Sequence, residues 1–243
     1  MAKPDLLSIL VPVFNEARTV SSVISRLVSI DLPVPREILV VNDGSTDGTR
    51  AVLEGLQFAG DTVRLFHAER NAGKGAAVRL GLERARGSIV AIQDADLELD
   101  PAQLANLVAP ILAGEADVVY GSRFLAGRSG APWITVLANR GLTSVTNLLF
   151  RAHITDMETC YKVMRTNIAR SLDLESNRFD IEPEITAKLL LAGHRIVERP
   201  VVFSPRRRQA GKKIGWRDGV RALRALARYR FGSWRPPGAQ PAA

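Results

Sequence analysis

The chain contains one cysteine among its 243 residues and no run of 18 or more apolar residues. A single cysteine excludes an internal disulfide and is compatible with a reducing cytosol, and we interpret Cys160 as a small buried hydrophobic residue rather than a nucleophile. Without a long apolar run, no transmembrane helix is expected. The N-terminus also lacks a secretory layout, because its apolar run over 6–14 starts almost at once and is better explained as a strand.

The composition, 46% hydrophobic and 24% charged, is typical of a globular protein with a sizeable core, in one large or two small domains. The formal net charge of +8 is concentrated near the C-terminus. Residues 206–235 hold eleven Lys and Arg and one acid, Asp218, whereas the rest of the chain has 22 basic and 24 acidic residues. This asymmetry points to an anionic partner: a membrane surface, a nucleic acid or a phosphorylated substrate.

Apolar segments alternate with helical patterns along the first half of the chain. Strands are predicted at 6–14, 37–45, 62–68, 89–92 and 116–123, with helices between them. This alternation favours an α/β doubly wound layout, with a mostly parallel sheet covered by helices on both faces. Later segments predict a helix at 134–150, a loop and then a strand at 155–165, a helix at 181–193 and an extended segment at 194–206.

Polar or charged residues lie at or just beyond the end of each of the first five predicted strands. They are Asn15 and Glu16, Asp43, Asn71 and Lys74, Asp94 and Asp96, and Arg123. Ligands of open α/β sheets bind beyond the carboxyl ends of the strands. The five strand ends are therefore expected to converge on one crevice.

The segment 94–100 places four carboxylates directly after a buried strand. Mg²⁺ and Mn²⁺ take oxygen ligands of this kind, often one or two carboxylates together with substrate phosphates. In an extended chain alternate side chains point the same way, so Asp94, Asp96 and Glu98 would face one cavity. The alternative is a solvated acidic loop that caps the helix at Pro101, with Asp100 as its N-cap.

Two further turns lie near the predicted crevice. In "VVNDGSTDGTR" (40–50), residues 45–47 suit a helix cap, and the Asp43 carboxylate would accept an N–H of a nucleotide base. "RNAGKGAA" (70–77) puts glycines and Lys74 at a helix start, a favourable place for phosphates. It has neither the P-loop spacing nor the G-x-G-x-x-G fingerprint, so this motif by itself is weak.

The motifs together resemble a known family. "VPVFNEARTV", "VVNDGSTDGT", "RNAGKGAA" and "DADLELDP", in this order, resemble the family 2 glycosyltransferases with the GT-A fold. "YGSRF", "DMETCYKVMR", "FDIEPEITAKL" and "GKKIGWRDGVRAL" resemble the branch related to dolichyl-phosphate mannose synthase, which transfers sugars to polyprenyl phosphates. The resemblance covers roughly residues 6–230.

The resemblance implies roles for individual residues. The nucleotide site would be lined by Pro12, Asn15, Glu16, Asp43, Lys74, Gln93 and Asp94. Asp94 and Asp96 are the D-x-D pair that would hold Mg²⁺ or Mn²⁺ against the departing diphosphate. Glu98 is a possible third ligand, at a position where the most similar type often has Gln.

The acceptor decides what further groups are needed. A sugar hydroxyl needs a general base, whereas a lipid phosphate is already ionised and needs cations to position it. By resemblance, the acceptor-phosphate candidates are Arg123 and Arg140, and the run Arg206, Arg207 and Arg208 is added to them on its charge. The alternative for this run is a solvated basic loop. Glu182 and Glu184 either serve substrate binding or line a helix, and we do not rank them as catalytic.

The C-terminal segment has an amphipathic pattern. Apolar residues form one helical stripe (Trp216, Val220, Leu223 and Leu226 or Ala227), and arginines form the next (Arg217, Arg221, Arg224 and Arg228). This favours an interfacial membrane helix over a helix packed on the body. We therefore expect a transferase domain at 1–205, a basic membrane-interfacial segment at 206–235 and a disordered tail at 236–243.

The sequence predicts an inverting, metal-dependent transferase, peripheral on the cytosolic face of a membrane. It would move a hexose from a nucleotide diphosphate sugar (UDP-glucose, another UDP-hexose or GDP-mannose) to a polyprenyl phosphate. The alternatives are transfer to a hydroxyl, an inactive scaffold and a nucleic-acid-binding protein. The last is disfavoured because the basic segment has little aromatic interleaving.

Overall fold

A computed structural model describes residues 4–57, 60–125, 127, 130–205 and 216–236. The strands are β1 (Leu7–Val13), β2 (Arg36–Asn42), β3 (Val63–His67), β4 (Ile89–Ile92), β5 (Val118–Ser122), β6 (Lys162–Arg165) and β7 (Ile196–Pro200). The helices are α1 (Val20–Ser29), α2 (Thr49–Gly55), α3 (Lys74–Arg84), α4 (Leu104–Leu112), α5 (Trp133–Phe150), α6 (Thr166–Ser171), α7 (Ile181–Leu191) and α8 (Trp216–Phe231). The predicted strands and helices are confirmed with shifted ends, and the short α6 is additional.

The seven strands form one sheet in the order β3-β2-β1-β4-β6-β5-β7. All neighbours are parallel except β6, which runs antiparallel to both β4 and β5. The mostly parallel α/β layout is therefore confirmed, while the reversal of β6 was not predicted. Because β6 is reversed, its first residue, Lys162, and the preceding loop lie at the edge where the parallel strands end.

Apolar residues on both faces of the sheet explain why the strands have continuous hydrophobic runs. Ile9 and Val11 belong to a core that includes α1 and α4, whereas Leu10 and Val90 belong to a second core that includes α3 and α7. Successive strand residues point to opposite faces, so a strand covered on both sides must be apolar throughout.

Helix α8 packs on the body through Ala222, Ala225, Leu226 and Tyr229, which are buried. Ala225, Leu226 and Tyr229 belong to a third apolar cluster that includes residues of α5 and α7. Beneath α8, the buried Lys188 ammonium lies 5.0 Å from the centroid of the Tyr229 ring. The expected boundary at 205/206 therefore does not separate α8 from the body. Among the described helices, none combines the length and hydrophobicity needed to cross a bilayer.

Candidate active site

The loops that follow β1 and β2 are joined at the crevice. The Asn15 N–H donates to Ser45 Oγ at 2.9 Å, and Asn15 Oδ1 accepts from the Thr46 N–H at 2.8 Å. The Glu16 N–H donates to Thr49 Oγ1 at 2.9 Å. Asn15 has a φ of 55°, a left-handed conformation that its hydrogen bonds to Ser45 and Thr46 help to stabilise. The two loops thus hold Asn15 and Glu16 at the predicted edge of the sheet.

Asp43 is buried, and its carboxylate accepts three hydrogen bonds from the loop before α3. The donors are Asn71 Nδ2 at 2.6 Å, the Ala72 N–H at 2.8 Å and the Gly73 N–H at 2.7 Å. Asp43 therefore orders the approach to α3 rather than the start of α2. A contact between this side chain and a nucleotide stays a prediction.

The glycines at the start of α3 allow a close backbone approach. A Cβ atom on Gly73 or Gly75 would collide with the backbone of 176–177. The Ala76 N–H donates to Asn177 O at 3.1 Å. Together with the N–H groups that Asp43 accepts, these contacts occupy several donors of the turn. These N–H groups are used inside the protein, and the turn brings the Lys74 side chain to the crevice; a contact of this turn with phosphate stays a prediction.

Gln93 has no solvent exposure and supports the acidic segment from below. Its Nε2 donates to Asp94 O at 3.0 Å and to Leu99 O at 3.3 Å, and its Oε1 accepts from Tyr161 Oη at 2.7 Å. The Gln93 amide is therefore used inside the protein, and a direct contact of Gln93 with a nucleotide stays a prediction.

The acidic segment turns rather than continuing as a strand. Leu97 has a φ of 60°, and the Glu98 N–H donates to Asp96 Oδ1 at 3.1 Å. The expectation that Asp94, Asp96 and Glu98 face one way in an extended chain is therefore wrong. The N-cap prediction is confirmed, since Asp100 Oδ1 accepts from the Ala102 N–H at 3.1 Å.

Two carboxylates, Asp94 and Asp96, decide whether the acidic turn can hold a metal ion. In the part of the chain that the structure describes, no three His, Cys, Asp or Glu side chains are grouped as metal ligands. Asp94 and Asp96 are both partly exposed at the end of β4. One or two carboxylates suffice for Mg²⁺ or Mn²⁺ when substrate phosphates complete the shell. The pair fits such an ion, whereas a role for Glu98 as third ligand stays a prediction.

Three successive ion pairs connect four charged residues, which we call the charge cluster: Asp94, Lys74, Glu182 and Lys162. The Lys74 Nζ lies 2.8 Å from Asp94 Oδ1 and 2.8 Å from Glu182 Oε1. The Lys162 Nζ lies 2.6 Å from Glu182 Oε2. Glu182 thus binds one lysine with each carboxylate oxygen and connects α3, β6 and α7 beneath the first acid of the D-x-D pair.

The ion pairs of the charge cluster keep Lys74 and Glu182 ionised despite their burial. Burial alone would lower the pKa of Lys74, but the carboxylates of Asp94 and Glu182 raise it well above its ordinary value. Burial would likewise raise the pKa of Glu182, but the ammonium groups of Lys162 and Lys74 lower it. Sequence reasoning did not rank Glu182, because its partners are distant in the chain.

The loop 155–159 before β6 is fastened from two sides. The Glu198 carboxylate accepts from the Thr155 N–H at 2.8 Å and from the Asp156 N–H at 3.1 Å. The Lys162 Nζ donates to Met157 O at 3.0 Å and also to Thr159 O. Glu198 and Lys162 therefore set the position of Asp156 in the crevice.

Asp156 binds Arg123 in a bidentate ion pair. Arg123 Nε and Nη2 each lie 2.7 Å from a carboxylate oxygen of Asp156. Burial would lower the pKa of Arg123, but Asp156 raises it, so the guanidinium stays charged. Asp156 is the residue that orients this arginine, and sequence reasoning missed it.

Phe124 brings the two predicted acceptor arginines together. Its ring centroid lies 5.9 Å from the Arg123 guanidinium carbon and 5.4 Å from that of Arg140. Arg123 also lies 5.5 Å from the Phe203 ring. Arg140 comes from α5 and is exposed. The remaining candidates, Arg206, Arg207 and Arg208, lie outside the described residues.

Glu158 is a second residue that sequence reasoning missed. Its Oε1 is buried and has no hydrogen-bond partner among the described residues. Burial, followed by the charge of Glu182, raises its pKa to about 7. The only signal in the sequence is its position two residues after Asp156, which is informative only once the reversal of β6 is known.

The sheet topology and the paired carboxylates define a glycosyltransferase of the GT-A fold. The family model for glycosyl transferase family 2 matches residues 8–172, and the chain belongs to that family. Curated relatives place it near the synthases of sugar-linked polyprenyl phosphates. It is 29% identical to polyprenol monophosphomannose synthase of Mycolicibacterium smegmatis, over 85% of this chain and 80% of that protein.

Two further relatives show how much of each protein is shared. Undecaprenyl-phosphate mannosyltransferase of Micrococcus luteus is 29% identical over 85% of this chain and 86% of its own length. Glycosyltransferase AglD of Haloferax volcanii is 28% identical over 82% of this chain, which spans only 33% of AglD.

Solved structures with the same fold include glucosyl-3-phosphoglycerate synthase of Mycobacterium tuberculosis. Its complex with Mn²⁺, UDP and glucosyl-3-phosphoglycerate superposes with a TM-score of 0.73 at 20% identity, covering 94% of this chain and 81% of that one. Its complex with Mg²⁺ and UDP gives a TM-score of 0.72. This likeness confirms the GT-A fold.

Proposed function

We propose that the protein transfers a hexose from a nucleotide diphosphate sugar to the phosphate of a polyprenyl phosphate, with inversion at the anomeric carbon. The observation that carries the proposal is that the Arg123 and Arg140 guanidinium groups both lie within contact distance of the Phe124 ring. Arg123 is in turn paired with Asp156, in the loop that Lys162 of the charge cluster holds. The crevice thus combines carboxylates that can hold a metal ion for the sugar donor with arginines that can bind an anionic acceptor.

The donor side consists of the D-x-D turn and Lys74. Asp94 and Asp96 would hold Mg²⁺ or Mn²⁺, which when bound neutralises charge on the diphosphate leaving group. Glucosyl-3-phosphoglycerate synthase, which has the same fold, was crystallised with UDP and either ion. Lys74, kept charged by Asp94 and Glu182, is available to the same diphosphate. UDP-glucose, another UDP-hexose and GDP-mannose all suit this chemistry.

The acceptor side consists of Arg123 and Arg140. An ionised phosphate oxygen attacks the anomeric carbon while the bond from that carbon to the diphosphate breaks, so no base has to remove a proton. Arg123 is oriented by Asp156 through two hydrogen bonds, and its guanidinium donates to phosphate through its other N–H groups. Names of the relatives support this acceptor, since they include polyprenol-phosphate and undecaprenyl-phosphate mannose transferases.

A membrane surface is the partner that such a lipid requires. On α8, Val220, Leu223, Ala227 and Phe231 fall on one exposed stripe, which we call the α8 outer stripe, and exposed arginines adjoin it. Leu226, expected on that stripe, is instead buried in the body.

On α5, the exposed Trp133 and Leu137 lie on the same face as Arg140. A bilayer, met on its cytosolic side, would contact these surfaces; the side chains of Trp216 and Arg217 lie outside the described residues.

The test is a transfer assay with Mn²⁺ or Mg²⁺, a panel of labelled UDP- and GDP-sugars, and polyprenyl phosphate in detergent. Wild type, Asp96→Ala and the control Arg50→Ala, on the exposed surface of α2, would be compared. Labelled lipid from one donor, lost only in Asp96→Ala, is the expected result. Donor binding or hydrolysis without labelled lipid would contradict the lipid acceptor while leaving the family assignment intact.

Transfer to a hydroxyl is the second candidate, and Glu158 is the observation that favours it. A hydroxyl acceptor needs a general base, and a carboxyl with a pKa of about 7 in the crevice is suited to that task. In that case the rate would rise with pH as Glu158 ionises, and Glu158→Gln would abolish transfer to the hydroxyl.

A further inference from the structure

Glu158 is an ionisable group of the crevice that the proposed reaction leaves unused. It stands in the fastened loop 155–159, between Asp156, which binds Arg123, and Lys162, which begins β6. A buried carboxyl oxygen without a hydrogen bond is costly, so its persistence calls for a ligand or a proton.

The charges around Glu158 are already balanced without it. The groups that act on it are Glu182 from α7, Lys162 from β6, Arg123 from the end of β5 and Asp156 from its own loop. Arg123 is paired with Asp156 at 2.7 Å, and Lys162 is paired with Glu182 at 2.6 Å. Two cations and two anions thus cancel. Ionisation of Glu158 would add one uncompensated negative charge beside the arginine that is to receive a phosphate.

We propose that Glu158 is an acceptor-binding residue, which in its neutral form donates a hydrogen bond to the acceptor phosphate held by Arg123, so that acceptor binding is coupled to proton uptake. This inference rests on the proposed function. A neutral carboxyl is the form of this side chain that donates a hydrogen bond, whereas the carboxylate repels a phosphate dianion. The proton stays on Glu158 throughout, and the bonds made and broken in the transfer are unchanged.

The pH dependence separates this role from that of a base. Burial holds the pKa of Glu158 at about 7, so the neutral form is lost just above neutrality. An acceptor-binding role predicts that the acceptor KM rises above pH 7 with little change in kcat. A base predicts the opposite sign, because its activity increases as the carboxylate forms.

The experiment measures the acceptor KM and kcat between about pH 6 and pH 8.5 in wild type, Glu158→Gln and the control Glu54→Gln, an exposed carboxylate on α2. We expect the wild-type and control KM to rise about tenfold from pH 7 to pH 8.5, with a much flatter profile in Glu158→Gln, whose amide keeps the donor but cannot ionise. Titration of the acceptor phosphate itself is common to all three proteins and cancels in the comparison.

A second measurement on the wild type covers the case in which Glu158→Gln does not fold. Calorimetric binding of a short polyprenyl phosphate at pH 8, in buffers of different ionisation enthalpy, should show uptake of nearly one proton. Labelled lipid with identical pH profiles in all variants, or with no proton uptake, overturns this inference and leaves the proposed function standing. Unlabelled lipid, with transfer to a hydroxyl that Glu158→Gln abolishes, overturns both and makes Glu158 the base.

Discussion

Glu182 and Lys74 form an ion pair of 2.8 Å inside the crevice, and the other oxygen of the same carboxylate lies 2.6 Å from Lys162. One buried acid therefore holds two cations, one facing the donor carboxylates and the other securing the loop that carries Asp156. Substitution of Glu182 should consequently affect both the donor side and the acceptor side of the site, although Glu182 itself is placed in neither.

Replacing Glu182 by Gln should lower the free energy of unfolding by about 3–5 kcal/mol, because the fully buried Lys162 ammonium loses its ionised partner. Urea denaturation of wild type and Glu182→Gln measures this loss, with Glu54→Gln as the matched surface control. A change below about 1 kcal/mol would mean that the buried ion pair contributes little to stability.

Removing the divalent ion with EDTA should abolish transfer, and adding Mg²⁺ or Mn²⁺ should restore it. Asp96→Ala should lower kcat/KM by at least about a hundredfold, since charge on the leaving diphosphate is no longer neutralised. Asp96 is partly exposed, so the melting temperature should change little. Full activity in EDTA, or in Asp96→Ala, would show that the reaction does not depend on this turn.

Arg140→Ala should raise the acceptor KM about tenfold with little change in stability, because this side chain is exposed and its ring contact with Phe124 lies at the surface. Asp156→Asn should raise the same KM and also destabilise the protein, because the buried Arg123 loses its bidentate partner. Acceptor titrations at saturating donor, combined with thermal melts, distinguish the two variants. Unchanged KM values in both would remove Arg123 and Arg140 from the acceptor site.

The raised pKa of Glu158 links folding to pH. A carboxyl whose pKa is about 7 when folded and 4.5 otherwise binds a proton more tightly in the native state. Its contribution to stability is fully present below pH 4.5 and is lost as the pH rises to 7. Relative to Glu158→Gln, the wild type should thus lose up to about 3 kcal/mol across this window. Parallel stability–pH curves for the two proteins would contradict the shift.

Leu223 and Leu226 lie three residues apart on α8, yet we expect substitution of Leu226 to affect stability and substitution of Leu223 to affect membrane binding. Leu226 is fully buried, so Leu226→Ala should cost about 2–5 kcal/mol of stability. Leu223 belongs to the α8 outer stripe and is 42% exposed, so Leu223→Ala should leave stability nearly unchanged.

We expect Leu223 to contribute to the binding of lipid vesicles. Sedimentation with phosphatidylglycerol vesicles should show weaker binding for Leu223→Ala, and weaker binding still for Arg224→Glu, since each cation near an anionic surface contributes about 1 kcal/mol. Both effects should diminish with neutral vesicles or high salt. Equal binding by all variants would remove the α8 outer stripe from the membrane surface.

Much of the fold was predictable because its information is local. The short apolar runs within 7–13, 36–42 and 89–92 favour strands buried on both faces, and Asp100 directly before Pro101 is a local helix-capping pattern. The crevice followed from these strands, because parallel strands place their carboxyl ends at one edge. The order and spacing of four motifs were sufficient for the family.

The tertiary structure decided which side chains meet. The Asp43 carboxylate accepts hydrogen bonds from the loop 71–73, and the Gln93 amide is hydrogen-bonded inside the protein; neither partner could be predicted from the local sequence. The reversal of β6 brings Asp156 and Glu158 to the crevice, and no local pattern encodes the direction of a short strand. A residue's pairing with a partner a hundred positions away, as for Lys74 and Glu182, depends on how the whole chain packs, because charge and hydrogen-bond energies act through space and not along the sequence.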